Sequence, residues 1–296
     1  MNFMNKLVLF LLMVNHLGAL GSTASSHSNY EVSETAGIEC NETKSHYLAL
    51  SQDNILETVN RSSLAQAKMV NITSGRQVYP AVYPAYTAAP AAEGNYPAIV
   101  LIHSFKGFEP GYQTLVNRIA EDGYVVIAPF WQTYAVSPSD TEVEALIRNS
   151  IAYLETRDDV DSERLGLTGF CAGGRYTMLF LPHIKQFKSG VAWYGFPYVG
   201  ESEIQPDRPA SLIDQLDAPM LMIHGTRDQY SNITDIYRYA GELDVSDKYF
   251  ELKVYQGEPH GFMIKGDGEI SESFVAQDAY HEMISFFDRI LKNSAL

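Results

Sequence analysis

Short apolar runs alternate with helical periods along most of the chain. The runs consist of apolar and β-branched residues, as buried strands do, and lie at residues 98–102, 124–128, 164–168, 190–193, 219–223 and 250–255. Between them, apolar side chains recur every three or four residues and mark helices around residues 112–119, 143–154, 233–243 and 276–290. Strand and helix in repeated succession predict a doubly wound, mostly parallel sheet with helices on both faces. The predicted fold class is therefore α/β.

The N-terminal residues do not share this pattern. Lys6 ends a short polar start, residues 7–14 are an unbroken apolar run, and small residues at 22–24 suit a signal peptidase. Residues 1–24 are therefore predicted to be a secretory signal peptide, so we expect a secreted or extracytoplasmic protein. A membrane anchor is the alternative, but the apolar run is far shorter than the ~20 residues of a bilayer span. No stable membrane association is expected after cleavage.

Residues 25–75 are rich in Ser, Thr, Asn and Glu and show little periodicity, apart from a short helical pattern at residues 55–67. We interpret them as an N-terminal extension and residues 76–292 as one α/β domain. At the start of that domain, residues 77–86 are interrupted by two prolines, which lack a backbone donor. This segment is therefore predicted to form an edge strand.

Composition and charge limit the class of protein. Hydrophobic residues make up 46% of the 296 residues, which is enough for one full core. Asp and Glu number 36 against 21 Lys and Arg, and the resulting charge of −15 repels nucleic-acid phosphates. Nucleic acid is therefore not an expected partner. The two cysteines, Cys40 and Cys171, are either free thiols or, in an oxidising compartment, a disulfide.

A sharp strand-to-helix turn is predicted after the strand at residues 164–168, in the segment GFCAGG at residues 169–174. Such a nucleophile elbow strains its central residue and needs small residues two positions before and after it, here the first two glycines of the segment. Cys171 then lies at a helix N-terminus, where the helix dipole favours a thiolate. The Ala172 amide is placed to donate into an oxyanion hole.

An orienting acid and a base are expected in the chain order nucleophile, acid, base. The strand at residues 219–223 runs into HGTRD, which places Asp228 in the following loop, and the strand at residues 250–255 runs into QGEPHGF, which places His260 in the next such loop. Catalytic groups gather where parallel strands end. Cys171, Asp228 and His260 are therefore predicted to be the nucleophile, acid and base of a catalytic triad.

A second oxyanion donor is expected from the loop after the first core strand, HSFKGF at residues 103–108. Position in that loop favours the backbone amide of Phe105. His103 and His224 also lie at strand ends, so a zinc site that they form with Cys171 and His260 is an alternative. No close-spaced pair of His or Cys supports it, and we predict no metal.

Together these features resemble the dienelactone hydrolase family of α/β-hydrolases. The resemblance covers residues 76–292 and rests on the elbow, the stretch at residues 159–168, the WYG run at residues 193–195, and the loops of Asp228 and His260. Most α/β-hydrolases carry serine in the nucleophile position, so the cysteine is the specific part. The resemblance implies an α/β-hydrolase fold and a Cys-Asp-His triad that cleaves an ester or lactone without metal or organic cofactor.

Two positions depart from the family pattern. Family members that open dienelactones have a glutamate in the first oxyanion loop that interacts with the resting nucleophile, and Ser104 occupies that position here. They also bind a substrate carboxylate with an arginine four residues after the histidine, where this chain has Ile264 beside Lys265. Arg175 and Lys265 are the nearby cations, and both are expected on the surface. A neutral ester or lactone is therefore the expected substrate.

The leading hypothesis is a secreted thiol-type esterase or lactonase whose partner is a small-molecule ester or lactone and whose acyl-enzyme forms on Cys171. A non-catalytic binding protein on the same scaffold is the alternative from another class, since fold does not fix function. A peptidase or acyltransferase with the same triad is a further alternative, because the pocket selects the leaving group.

Overall fold

The computed structural model describes residues 65–73 and 82–293, in which eight strands form one sheet. The strands are β1 (Ala65–Thr73), β2 (Val82–Pro90), β3 (Tyr96–Ile102), β4 (Val125–Pro129), β5 (Val160–Phe170), β6 (Phe187–Trp193), β7 (Met220–Gly225) and β8 (Phe250–Tyr255). The helices are α1 (Pro110–Glu121), α2 (Asp140–Glu155), α3 (Ala172–Phe180), α4 (Ile233–Val245) and α5 (Phe274–Phe287), with a 3-10 helix at Pro209–Gln215 and a π-helical segment at Asp288–Lys292.

The strand order across the sheet is β1-β2-β4-β3-β5-β6-β7-β8. β1 pairs with β2 and β2 with β4 in antiparallel register, and all other neighbouring strands are parallel. This confirms the predicted doubly wound, mostly parallel sheet. Because β3, β5, β7 and β8 run in the same direction, the loops that follow them lie at one edge of the sheet.

Each face of the sheet is covered by helices whose apolar stripes face it. Helices α2, α3 and α4 pack on one face, where buried residues such as Leu146, Leu179 and Tyr239 form one hydrophobic cluster. Helices α1 and α5 pack on the other face, with buried residues such as Leu115 and Phe287 in a second cluster. The predicted helical periods therefore correspond to the buried faces of real helices.

Helix α2 begins at a reciprocal cap. The Ser139 side chain accepts a hydrogen bond from the backbone N–H of Glu142, whose carboxylate accepts one in return from the backbone N–H of Ser139 at 2.7 Å. Asp140 is the first residue of the helix and is buried. Its charge is partly stabilised by the helix dipole at this end.

The start of the sheet differs from the predictions. Residues 77–86 were predicted to form an edge strand, but Val82–Pro90 forms the inner strand β2. The edge position next to it belongs to β1. Residues 65–67 belong to β1 and not to a helix, so the sheet begins before the predicted boundary at residue 76. Pro84 is tolerated because its carbonyl accepts from the N–H of Phe130, so its backbone points toward β4 and its missing donor leaves the bonds to β1 intact.

Some predictions fall on residues outside the described ranges. These are the signal peptide at residues 1–24, the extension at residues 25–64 and 74–75 with Cys40, and the part of the predicted edge strand at residues 77–81. Among the residues that the structure describes, no helix is both long and apolar enough to cross a membrane.

Candidate active site

Cys171 lies at the turn between β5 and α3, where the sequence predicts the elbow. Its backbone has φ of 59° and ψ of −113°, a conformation that strains any residue except glycine. A Cβ on Gly169 would collide with the carbonyl of Gly173, and one on Gly173 would collide with the carbonyl of Ile102. The two glycines are therefore required for the turn to close, as predicted.

The cysteine side chain is a free thiol at the N-terminus of α3. Cys171 is 8% exposed and is the residue immediately before the helix. Ala172 is the first helical residue, so its backbone N–H has no acceptor within the helix. Cys171 therefore lies at the positive end of the helix dipole, next to the free N–H groups of the first turn.

Asp228 follows β7 and accepts hydrogen bonds at both carboxylate oxygens. Its side chain is fully buried. Oδ1 accepts from the backbone N–H groups of Tyr230 and Ser231, each at 2.8 Å. Oδ2 is 2.7 Å from Nδ1 of His260, which comes from the loop after β8. The structure therefore brings the predicted acid and base into direct contact across 32 residues of sequence.

His260 presents its other nitrogen away from this carboxylate. The Nε2 atom is buried, and no described residue forms a hydrogen bond with it. Burial by itself lowers the pKa of His260, but the interactions with the Cys171 and Asp228 side chains outweigh it and raise that pKa to about 10. Cys171 makes the largest contribution that raises this pKa, so its side chain lies close to the imidazole of His260. A pKa this high keeps the imidazole of His260 protonated at neutral pH.

The loop at residues 103–108 adjoins the start of α3. Gly173 packs directly against the carbonyl of Ile102, the last residue of β3. The Phe105 carbonyl accepts a hydrogen bond from Nε2 of Gln132 at 3.0 Å, which holds the loop. The structure therefore brings Phe105 and Ala172, the two residues predicted to supply oxyanion donors, to the same edge of the sheet.

Three aromatic rings surround the imidazole of His260. Their centroids lie 4.9 Å away for Tyr194, 5.5 Å for Phe196 and 5.3 Å for Tyr230. Tyr194 belongs to the WYG run that the sequence singled out, whereas Phe196 and Tyr230 carried no sequence signal because neither belongs to a motif. The imidazole of His260 is therefore enclosed mainly by aromatic rings on the sides not occupied by Asp228.

The other two histidines at strand ends are buried and neutral. Burial lowers the pKa of His103 to about 4 and also lowers that of His224. His103 bonds to the carbonyl of Ser104 and His224 to that of Ser231, each at 2.8 Å. Across the two described ranges, no group of three or more His, Cys, Asp or Glu side chains is arranged to hold a metal ion.

Arg175 is buried, and the prediction of a surface position was wrong. Its guanidinium forms a bidentate pair with Asp140 at 2.7 and 2.9 Å. The cause is a partner that no local pattern reveals, because Asp140 lies 35 residues earlier. Lys265 is about half exposed and lies 3.4 Å from Asp267. Ile264, at the position of the family arginine, is partly buried against the core.

Ser104, which stands where the family has a glutamate, lies close to a carboxylate from another position in the chain. The Ser104 hydroxyl is 3.5 Å from Oε2 of Glu109, the residue before α1. Glu109 is partly buried, and this burial raises its pKa. The loop at residues 103–108 thus has an acidic neighbour even though serine replaces the family glutamate.

Two family models match parts of the chain. A model of the dienelactone hydrolase family matches residues 130–291, more than half of the chain. A chlorophyllase model matches residues 56–181.

Individual relatives lead to the same family. A predicted carboxymethylenebutenolidase from Methylorubrum extorquens is 30% identical over 200 residues, which are 61% of this chain and 68% of the relative. One from Salmonella typhimurium is 28% identical over 222 residues, covering 69% of this chain and 82% of the relative. Among solved structures, a predicted dienelactone hydrolase from Klebsiella pneumoniae superposes with a TM-score of 0.68 at 26% identity, covering 76% of this chain and 99% of that chain.

Proposed function

Because the chain belongs to the dienelactone hydrolase family and is a hydrolase of that type, we propose that Cys171, Asp228 and His260 act as a triad that cleaves a carboxylic ester or lactone. The observation that carries this proposal is the 2.7 Å bond between Nδ1 of His260 and Asp228, at an edge of the sheet shared with the strained Cys171. An oriented imidazole beside an elbow nucleophile is the arrangement that acyl transfer needs.

The first half of the reaction forms a thioester. The Cys171 thiolate attacks the ester carbonyl carbon, a C–S bond forms, and the carbonyl electron pair moves to the oxygen. Backbone N–H groups of Ala172 and Phe105 stabilise that oxyanion. When it collapses, the C–O bond of the ester breaks, and Nε2–H of His260 protonates the departing alkoxide.

The second half releases the acid. Neutral His260 accepts a proton from water at Nε2 while the water oxygen attacks the thioester carbonyl. The C–S bond then breaks and the electron pair returns to sulfur. This regenerates the thiolate and the imidazolium, whose charge Asp228 stabilises throughout.

The proposed substrate is neutral. Arg175 is occupied by Asp140, Lys265 lies beside Asp267, and Ile264 stands where the family pattern has an arginine. The rings of Phe196 and Tyr230 near His260 favour an apolar acyl or alcohol group.

Export is a further part of the proposal. It rests on the three-part pattern of residues 1–24, in which a short polar start precedes an apolar run and small residues. A thiol enzyme outside the cytoplasm is open to oxidation, so we expect its activity to increase with reductant.

The test is a panel of chromogenic esters, lactones and thioesters assayed with the wild type, Cys171→Ala and Cys40→Ala. Because Cys40 is the other cysteine of the chain, its variant is the matched control. We expect Cys171→Ala to lose activity and Cys40→Ala to keep it, and mass spectrometry to find a transient acyl group on Cys171 alone. Equal rates for wild type and Cys171→Ala would refute the triad, and inactivity on the whole panel would favour the binding-protein alternative.

A further inference from the structure

A second histidine contacts the carboxylate that orients His260. His224 lies in β7 and is 1% exposed, with Nε2 at 2.8 Å from the carbonyl oxygen of Ser231 and at 3.4 Å from Oδ2 of Asp228. Both neighbours are acceptors, so a neutral imidazole in this place carries its proton on Nε2. The sequence marked His224 only as an unsupported zinc ligand.

The side chain of Asp228 is fully buried, so water does not stabilise its negative charge. Hydrogen bonds from the protein must offset the cost of burying that charge. The turn that follows it supplies two N–H donors to Oδ1, from Tyr230 and Ser231. His260 binds Oδ2, and the Nε2–H of His224 lies beside the same oxygen. His224 also binds the carbonyl of Ser231, so it contacts both the carboxylate and the end of the turn that holds it.

We propose that His224 is a positioning residue, whose Nε2–H is shared between Ser231 and Asp228 and holds the carboxylate with Oδ2 facing His260. The inference rests on the proposed triad. A carboxylate anchored at both oxygens keeps its orientation when His260 gains or loses a proton during the reaction. Without His224, rotation of the carboxylate would leave Nδ1 of His260 without its acceptor, and the imidazole would lose the orientation that catalysis requires.

Two substitutions of His224 distinguish the effect of its N–H donor from the effect of its side-chain volume. His224→Leu fills the space but removes the N–H, whereas His224→Gln retains an N–H near the position of Nε2. Met222→Leu, a buried change in the same strand, is the packing control. Thermal unfolding of all three variants verifies that they fold.

Two readouts respond to positioning. With a chromogenic ester, we expect His224→Leu to lower kcat about tenfold or more while KM stays within about twofold, because ground-state binding is not changed. Alkylation of Cys171 by iodoacetamide at pH 7, followed on its own peptide, is expected to slow about fivefold, because a mispositioned His260 stabilises the thiolate less. Both values should return to within about threefold of wild type in His224→Gln and remain unchanged in Met222→Leu.

The alkylation assay needs no turnover, so it keeps this inference separate from the proposed function. Slower alkylation in His224→Leu with rescue in His224→Gln supports the inference even where the wild type cleaves no ester. Unchanged kcat and alkylation in His224→Leu would overturn it. Equal impairment in His224→Gln and His224→Leu would also overturn it, because the donor would then not be what matters.

Discussion

Replacing Arg175 by methionine is expected to cost stability and to leave the preference for neutral substrates unchanged. The guanidinium side chain is 3% exposed and binds both carboxylate oxygens of Asp140. It also donates to the carbonyls of Val199 and Asp207 at 3.0 and 2.9 Å. Most of its donors are therefore used inside the protein, which leaves it unable to act as the carboxylate-binding cation of the family.

The expected cost follows from the charge that Arg175→Met leaves behind. Removing one partner of a buried ion pair costs about 3–5 kcal/mol, because the other charge stays buried and unpaired. Asp140 is the first residue of α2, where the helix dipole stabilises a negative charge, so we expect the lower end, about 3 kcal/mol. For a domain of this size, a loss of about 3 kcal/mol in the free energy of unfolding corresponds to a decrease in Tm of about 6–12 °C.

The assay is thermal and urea unfolding of Arg175→Met, Asp140→Leu and the double variant, with kcat/KM for matched neutral and anionic lactones. The double variant should regain most of the stability because it leaves no buried charge. Lys185→Met is the control, since it removes an exposed pair with Asp217 and should leave the Tm almost unchanged. A Tm of Arg175→Met within about 2 °C of wild type would refute the reasoning, and so would a selective loss of its activity on the anionic lactone.

Three further outcomes are expected. A neutral lactone should have a higher kcat/KM than an anionic lactone of the same size, and Ile264→Arg should narrow the difference; an anionic preference in the wild type would contradict this. Acylation needs protonated His260, and charge interactions with Cys171 and Asp228 raise its pKa to about 10; kcat/KM should therefore fall above about pH 10, and a fall that starts near pH ~6.5 would contradict this. N-terminal sequencing of exported protein should start soon after Gly21 or Ala24, whereas Met1 in membranes would indicate an anchor.

Most of the sheet was predictable because the hydrophobic pattern of each strand and helix lies within one short segment of sequence. A buried parallel strand is a short apolar run and a covering helix is a stripe, so β3–β8 and helices α1, α2, α4 and α5 follow from the sequence. The start of the sheet was not. β1 contains Lys68 and Asn71 and is mostly exposed, so its strand character comes from pairing with β2 and not from its own pattern.

The candidate site was predictable where short motifs fix it. The spacing of Gly169 and Gly173 around Cys171 is a steric requirement, and the contacts of both glycines agree with it. Asp228 and His260 follow strands that end at one edge, so chain order alone was enough to pair them.

The rest depends on contacts between distant segments. The partner of Arg175 lies 35 residues away, and exposure on a helix surface is the ordinary expectation for arginine. The rings of Phe196 and Tyr230 meet His260 only in the folded chain. Such side chains have no required spacing, so one sequence gives no sign of them.

The charges of the proposed site explain why a neutral substrate suits it. In the proposed resting pair, the Cys171 thiolate and Asp228 each carry a negative charge and His260 carries one positive charge, which leaves a net negative site. A substrate carboxylate ~6 Å from the uncompensated charge would be repelled by about 3 kcal/mol at an effective dielectric constant of ~20. That free energy corresponds to about two orders of magnitude in kcat/KM. A family arginine would cancel the repulsion, whereas Ile264 cannot, so the same triad is expected to select against anionic lactones.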